Sequence, residues 1–291
     1  MTGPPAGRPA DVPSGGPTGA VGEGAGGEDA AAAGAEAEAA GSEGAGSEGD
    51  ENVGAAAELG ASFGVPTGVR RIVAPTDGAT RIVLVRHGEA VCNVNGIVGG
   101  VLGCTGLTGL GRRQVVALAA RLEVTGELAG ATALYASILP RAVETAEILR
   151  PVVGNGKLDV VQECALCELH PGESDGLTWQ EVVDRFGVPE WDIDPDTVIA
   201  PGGESWSAFV PRAAAAVRSL AVHHPGELVV AAVHAGVIES TMISFLEIPP
   251  AVSRRGWTRI VHASLTEWEW VPTESRWVLI RFNDACGVPT D

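Results

Sequence analysis

Apolar residues between positions 80 and 285 follow two patterns. Short continuous runs predict buried strands, and stripes recurring every three or four residues predict amphipathic helices. Residues 80–85 form a run of the first kind and lead directly into polar, glycine-containing sequence. Val115, Val116, Ala119 and Leu122 make a stripe, opposed by Arg112, Arg113, Gln114 and Arg121. A second strand is expected over 131–136, followed by a helix over 140–149 that Pro140 opens and Pro151 stops. A third strand is expected over 158–161. A short helix should start near Thr178, with Glu181 completing a capping box.

Residues 187–203, rich in Pro, Asp and Gly, read as irregular. Trp206, Phe209, Val210, Ala213, Val217 and Leu220 mark a further helix, starting at Ser205. A strand over 228–233, a helix over 237–246 and two late strands, 258–270 (bent) and 277–282, complete the pattern. The Trp residues at 268, 270 and 277 read as strand and edge packing. Alternating strands and helices predict an α/β fold: a three-layer sandwich with a mostly parallel central sheet and helices on both faces.

Composition changes the picture at the N-terminus. Residues 1–60 hold 16 of the 40 glycines, 11 acidic residues and one basic one, Arg8. Such a segment cannot bury enough surface to offset the entropy of ordering. The expected division is a disordered acidic tail over 1–68 and one catalytic domain over 69–291. Without residues 1–60, 26 acids face 18 Lys and Arg, so much of the net charge of −18 belongs to the tail. A chain this acidic, with no basic patch, argues against a nucleic-acid partner. No apolar run is long enough for a membrane span, and no secretory leader is visible. Five irregularly spaced cysteines do not suggest a disulfide framework, so the expected location is cytoplasmic.

The chemistry gathers where strands end. Two of the most apolar strands run into histidine, as Val85-Arg86-His87-Gly88 and Val233-His234-Ala235-Gly236. In open α/β sheets, ligands collect at the carboxyl ends of strands. Arg86 adjoins the first histidine and Arg141 opens the helix after the second strand. Guanidinium groups match phosphate oxygens in a bidentate fork, so these residues together suggest a dianion site.

Several segments, in order, resemble the histidine phosphatase superfamily, which includes phosphoglycerate mutases and broad-specificity phosphatases. They are Leu84-Val85-Arg86-His87-Gly88-Glu89 with Asn93; Leu107-Thr108 through Gly111 and Gln114; and Ser137 through Ala146 around Arg141. Leu166-Cys167-Glu168 with Gly172-Glu173 and Gly176-Leu177-Thr178, Pro201-Gly202-Gly203-Glu204-Ser205, and Val233-His234-Ala235-Gly236 complete the set. The resemblance implies a phosphatase acting on a small phosphorylated substrate. His87 would be the nucleophile that forms a phosphohistidine, its other ring nitrogen donating to a backbone carbonyl. Arg86, Arg141 and a protonated or donating His234 would bind the phosphoryl oxygens. Asn93 and the backbone amides around Gly99 and Gly100 would complete the cradle. Glu168 matches the acid/base position, with Glu173 its competitor, and Glu89 would orient the loop.

The chain departs from the family pattern at Ala235, where many members carry glycine, and at His262, where relatives often carry asparagine. Cys92 and Cys104 read as bystanders. Cys164-x-x-Cys167 has the spacing of half a zinc site, but without a second such pair or paired histidines no metal is assigned, and no cofactor. Between residues 173 and 203 the only basic residue is Arg185, which favours hydrolysis over mutase-type transfer. A non-catalytic phospho-ligand module would lack the nucleophile or the acid, and both are present. Specificity is expected from residues 88–106, 168–205 and 254–262, including Val91, Val94, Ile97, Val101, Leu102, Trp206, Arg254, Arg255 and Arg259. These permit sugar phosphates, phosphoglycerate derivatives or other small monoesters.

Overall fold

The computed structural model describes residues 74–191, 193–249 and 258–289. The expected tail, and Arg254 and Arg255, lie outside them.

Six strands form one sheet: β1 (Thr80–Arg86), β2 (Ala133–Ala136), β3 (Val160–Gln162), β4 (Leu228–Val233), β5 (Leu265–Val271) and β6 (Arg276–Asp284). Their order is β3-β2-β4-β1-β5-β6. The first four positions pair in parallel, and β5 and β6 add antiparallel strands beyond β1. The helices are α1 (Val91–Val94), α2 (Gly109–Thr125), α3 (Pro140–Leu149), α4 (Trp179–Phe186), α5 (Trp206–His223) and α6 (Ala235–Phe245).

Strand alternation divides the core into two layers. Ile82, Leu84, Val229, Ala231 and Val233 face one side, where Phe209, Ala213 and Val217 of α5 and Val237 and Ile238 of α6 cover them. Val83, Val85, Val230 and Ala232 face the other, against Val115, Leu118 and Leu122 of α2 and Ala146 and Leu149 of α3. Because β1 and β4 are buried on both faces, their sequences show continuous apolar runs.

Several expected elements shift. The second strand is confined to Ala133–Ala136, and the third moves two residues on to Val160–Gln162, an edge strand with exposed positions. The long bent strand shrinks to Leu265–Val271, since residues 258–264 form a turn and irregular chain at the sheet's edge. The turn is set by Ala263, whose φ is 54°. The Thr178–Glu181 capping box forms with both bonds in place. No described helix is long and apolar enough to cross a membrane.

Trp268 is fully buried, donates Nε1–H to Thr241 Oγ1 at 3.0 Å and meets Phe245 edge-on. Trp268→Ala should cost about 3–5 kcal/mol, read from a lowered urea midpoint; a loss below about 1 kcal/mol would show that β5 is not tied to α6 through this ring.

Candidate active site

Strand register brings the site together. β1 and β4 are parallel neighbours with Arg86 opposite Val233, so the next residues, His87 and His234, leave the sheet side by side. The His87 amide donates to the Val233 carbonyl at 3.0 Å, and the two imidazole centroids are 5.2 Å apart. β2 lies on the far side of β4 and delivers Arg141 in the first turn of α3. β5 runs antiparallel to β1, so the chain entering β5 reaches the same edge. There the Ala263 amide donates to the Arg86 carbonyl at 3.0 Å, and the His262 ring sits 5.7 Å from that of His87.

His87 is buried, and its Nδ1 lies 2.7 Å from the Gly88 carbonyl. A carbonyl oxygen can only accept, so this bond places the proton on Nδ1 and leaves Nε2 with its lone pair. Nε2 accepts from Arg141 Nε at 3.1 Å, and Arg141 Nη1 in turn donates to the Gly99 carbonyl at 2.6 Å. Gly88 is required by packing, since a Cβ there would lie 2.4 Å from the Gly111 carbonyl oxygen. That contact joins the histidine loop to the start of α2. Glu89 stays in the loop as well: its carboxylate accepts from Thr108 Oγ1 at 2.6 Å and its amide donates to Gln114 at 2.9 Å.

Beside His87, Arg86 Nε, both ring nitrogens of His234 and Nε2 of His262 are buried with no partner among the described residues, as is Asn93 Oδ1 on α1. Buried polar groups are nearly always satisfied, and each orphan costs about 1–3 kcal/mol. Arg86 Nε and the imidazole nitrogens are groups able to donate to an oxygen-rich anion. Burial, then the charges of Arg141, His234, Arg86 and His262, holds the His87 imidazole well below its ordinary 6.5. Burial, then Arg141, Arg86 and Arg212, does the same to His234, and burial with Arg86 and Arg141 brings His262 down to about 3. Burial also lowers Arg86 to about 10, opposed by Glu168.

The glycine-rich loop changes the expectation for one amide. Gly100 does not keep its amide for a ligand: it donates to Asp175 Oδ1 at 2.9 Å, and the same carboxylate takes the amides of Leu102 (2.8 Å) and Gly103 (2.9 Å). Gly99 presents its carbonyl to Arg141. These glycines position the cradle. Cys92 and Cys104 pack with Ala90 under the same loop, with Cys92 Sγ 3.9 Å from Arg141 Nη1. On that loop Val101 and Leu102 are exposed, as is Val94 just before it.

The candidate acid enters from the loop after β3. Glu168 Oε2 accepts the Gly236 amide at 3.0 Å, at the start of α6, and Oε1 takes the Leu169 amide at 3.3 Å. Its competitor, Glu173, is exposed on a 3₁₀ turn. A Cβ at Gly236 would meet Glu168 Oε1 at 2.2 Å, so the glycine needed here is the second residue after His234, and Ala235 is accommodated.

A family model described as the histidine phosphatase superfamily (branch 1) matches residues 82–285. The chain belongs to the histidine phosphatase superfamily. It is 32% identical to a metal-independent phosphoserine phosphatase of Arabidopsis thaliana, covering 59% of this chain and 71% of that protein. It is 34% identical to phosphoglycerate mutase-like protein 4 of the same plant, over 55% of this chain and 68% of the relative. Among solved structures, a mycobacterial glucosyl-3-phosphoglycerate phosphatase complexed with VO3 superposes with a TM-score of 0.58 at 31% identity, covering 70% of this chain and 99% of that one. With phosphatases among its relatives and the two histidines in one pocket, this histidine phosphatase is a phosphoric monoester hydrolase.

Three supporting residues of this histidine phosphatase escaped the sequence reading. Arg212 forks onto Glu204 at 2.8 and 2.6 Å and donates to the carbonyls of Ala165, Cys167 and Glu168, fixing the acid loop to α5. Burial would raise the Glu204 carboxyl, but the bonds from Arg212 and His170 hold it below its ordinary value. Asp175 organises the glycine-rich loop as described. Glu239, on α6, is pushed up to about 7 by burial and then by repulsion from Glu168. Glu204 standing eight residues before Arg212, across Ser205, was the available signal for the first.

Two outcomes follow. Histidines depressed in the folded state let the unfolded chain take up protons first. Their stabilisation is therefore full above pH 6.5 and is lost as pH falls, down to about 3 for His262. Urea midpoints across that window should fall less steeply for His262→Gln than for the parent; equal slopes would remove His262 from the linkage. Gly236→Ala should cut kcat on an alkyl phosphomonoester on the order of 100-fold while leaving KM nearly unchanged, and unaltered kcat would dissociate Glu168 from turnover.

Proposed function

We propose that this protein hydrolyses small phosphomonoesters through a phosphohistidine on His87. The observation that carries the reading is the His87 ring itself: Nδ1 committed to the Gly88 carbonyl and Nε2 left as a buried lone pair facing Arg141. In the first step Nε2 attacks phosphorus and the P–O bond to the alcohol breaks. Arg86, Arg141 and His234, with Asn93, take the three equatorial oxygens, where charge stabilisation counts most. Glu168 gives its proton to the departing alkoxide. In the second step Glu168 removes a proton from water, which attacks the phosphohistidine and releases phosphate and the original imidazole. His262 faces the same pocket and supplies a further donor.

Hydrolysis is favoured over mutase transfer because the only basic residue in 173–203, Arg185, is exposed and its guanidinium pairs with Glu181 at 3.8 Å. A mutase has to grip a second charged end, and this segment offers no other cation. The phosphoserine and glucosyl-3-phosphoglycerate in the names of relatives support a small phosphorylated metabolite as the substrate. Five free cysteines fit a reducing, cytoplasmic setting.

The test is a panel of phosphomonoesters assayed with the parent, His87→Ala and Glu168→Gln. His87→Ala should lose all measurable turnover on every ester, and residual parental activity would refute the covalent route. Glu168→Gln should lose on the order of 100-fold or more with alkyl esters and much less with p-nitrophenyl phosphate, whose leaving group needs no proton. Equal losses with both esters would remove Glu168 as the acid.

A further inference from the structure

The loop that carries Glu168 also carries three metal-ligating side chains that the phosphatase chemistry does not use. Cys164 and Cys167 lie at the two ends of the 3₁₀ turn Cys164–Leu166, and His170 follows three residues later. Cys164 Sγ is 4.0 Å from Cys167 Sγ and 4.0 Å from His170 Nε2, and all three donor atoms fall within 4.8 Å of one another. Zinc bonds of about 2.3 Å to sulfur and about 2.0 Å to nitrogen, at tetrahedral angles, put donors roughly 3.5–3.8 Å apart. The three atoms are therefore already near that spacing, and small rotamer changes would bring them onto one ion.

Their surroundings match a ligand set. His170 Nδ1 lies 3.4 Å from Glu204 Oε2, which also accepts the His170 amide at 2.9 Å. A proton held on Nδ1 by that carboxylate leaves the Nε2 lone pair facing Cys164, the carboxylate–histidine arrangement that orients imidazoles onto metals. Ser137 Oγ donates to Cys167 Sγ at 3.3 Å, a bond that stabilises a thiolate. Arg212 clamps both Glu204 and the carbonyls of Ala165 and Cys167, so the donors stand on a fixed frame. Two soft thiolates and an imidazole select zinc or a similar borderline divalent cation over magnesium or calcium.

We propose that Cys164, Cys167 and His170 bind one such cation, with water in the fourth position, and that the ion staples the acid loop. None of the three donors meets the phosphoryl pocket, so the ion takes no part in the displacement; it holds the segment from which Glu168 projects. The sequence spacing gave only the cysteine half, because His170 belongs to no second motif and joins the pair only through the turn.

The test is an anaerobic titration of the full chain with Co²⁺ in the presence of a non-thiol reductant. Binding should give thiolate-to-cobalt charge-transfer absorption saturating at one equivalent, displaced by Zn²⁺. Cys164 is exposed and His170 half-exposed, so Cys164→Ser and His170→Ala should fold. Each should weaken binding more than about 100-fold, and Ser137→Ala should weaken it less, within about 10–100-fold. Zn²⁺ should also slow amide exchange across residues 163–176 in the parent and not in Cys164→Ser. No charge-transfer band, or an unchanged titration in Cys164→Ser, would overturn the site. Because these readouts are independent of turnover, they distinguish its failure from failure of the phosphatase mechanism.

Discussion

The site depends on burying the His87 imidazole beside two guanidinium groups. Burial alone disfavours charge on His87, and Arg86 and Arg141 disfavour it further. In the proposed mechanism the His87 lone pair is thus maintained by the same cations that would bind the phosphoryl group. The energetic cost appears in the unpaired atoms of Arg86, His234 and His262, which a phosphate dianion would satisfy. The β1–β4 register makes this possible, since two parallel strands that end in register release their histidines at one edge of the sheet.

Around that centre, two loops hold the remaining groups with little freedom. Asp175 gathers three amides of the glycine-rich loop, and Arg212 gathers three carbonyls of the acid loop. Each uses one buried or half-buried charge to satisfy several backbone groups that have no strand or helix partner. Glu168 is fixed at its carboxylate by the Gly236 amide, which ties the acid to the helix that follows His234. Acid and second histidine are therefore joined by one hydrogen bond, although 66 residues separate them in sequence.

Much of this was legible in the chain. The doubly buried strands β1 and β4 stood out as apolar runs, and the periodicity placed α2, α3 and α5 because their core faces are regular. Strand β3 was misplaced because it lies at an edge, where exposed positions blur the apolar signal. The stretch 258–264 looked like strand because its Ile260 and Val261 are apolar, yet the left-handed turn at Ala263 is tertiary in origin. His87, Arg141, Glu168 and His234 were recognisable from motifs. The Gly100 amide was not assignable from sequence because glycine-rich loops are equally suited to binding anions and to close packing, and only the partner, here Asp175, decides which. Arg212 was unreadable because its ligands are backbone carbonyls, which carry no side-chain signature.

The most direct measurement of the central claim is rapid-quench trapping of the enzyme during turnover of a radiolabelled phosphomonoester, followed by peptide mapping. Label should be stable in base, lost in acid and confined to the peptide bearing His87, accumulating more strongly in Glu168→Gln when the ester has an acidic leaving group. Turnover with no trapped label, or label on another residue, would contradict it.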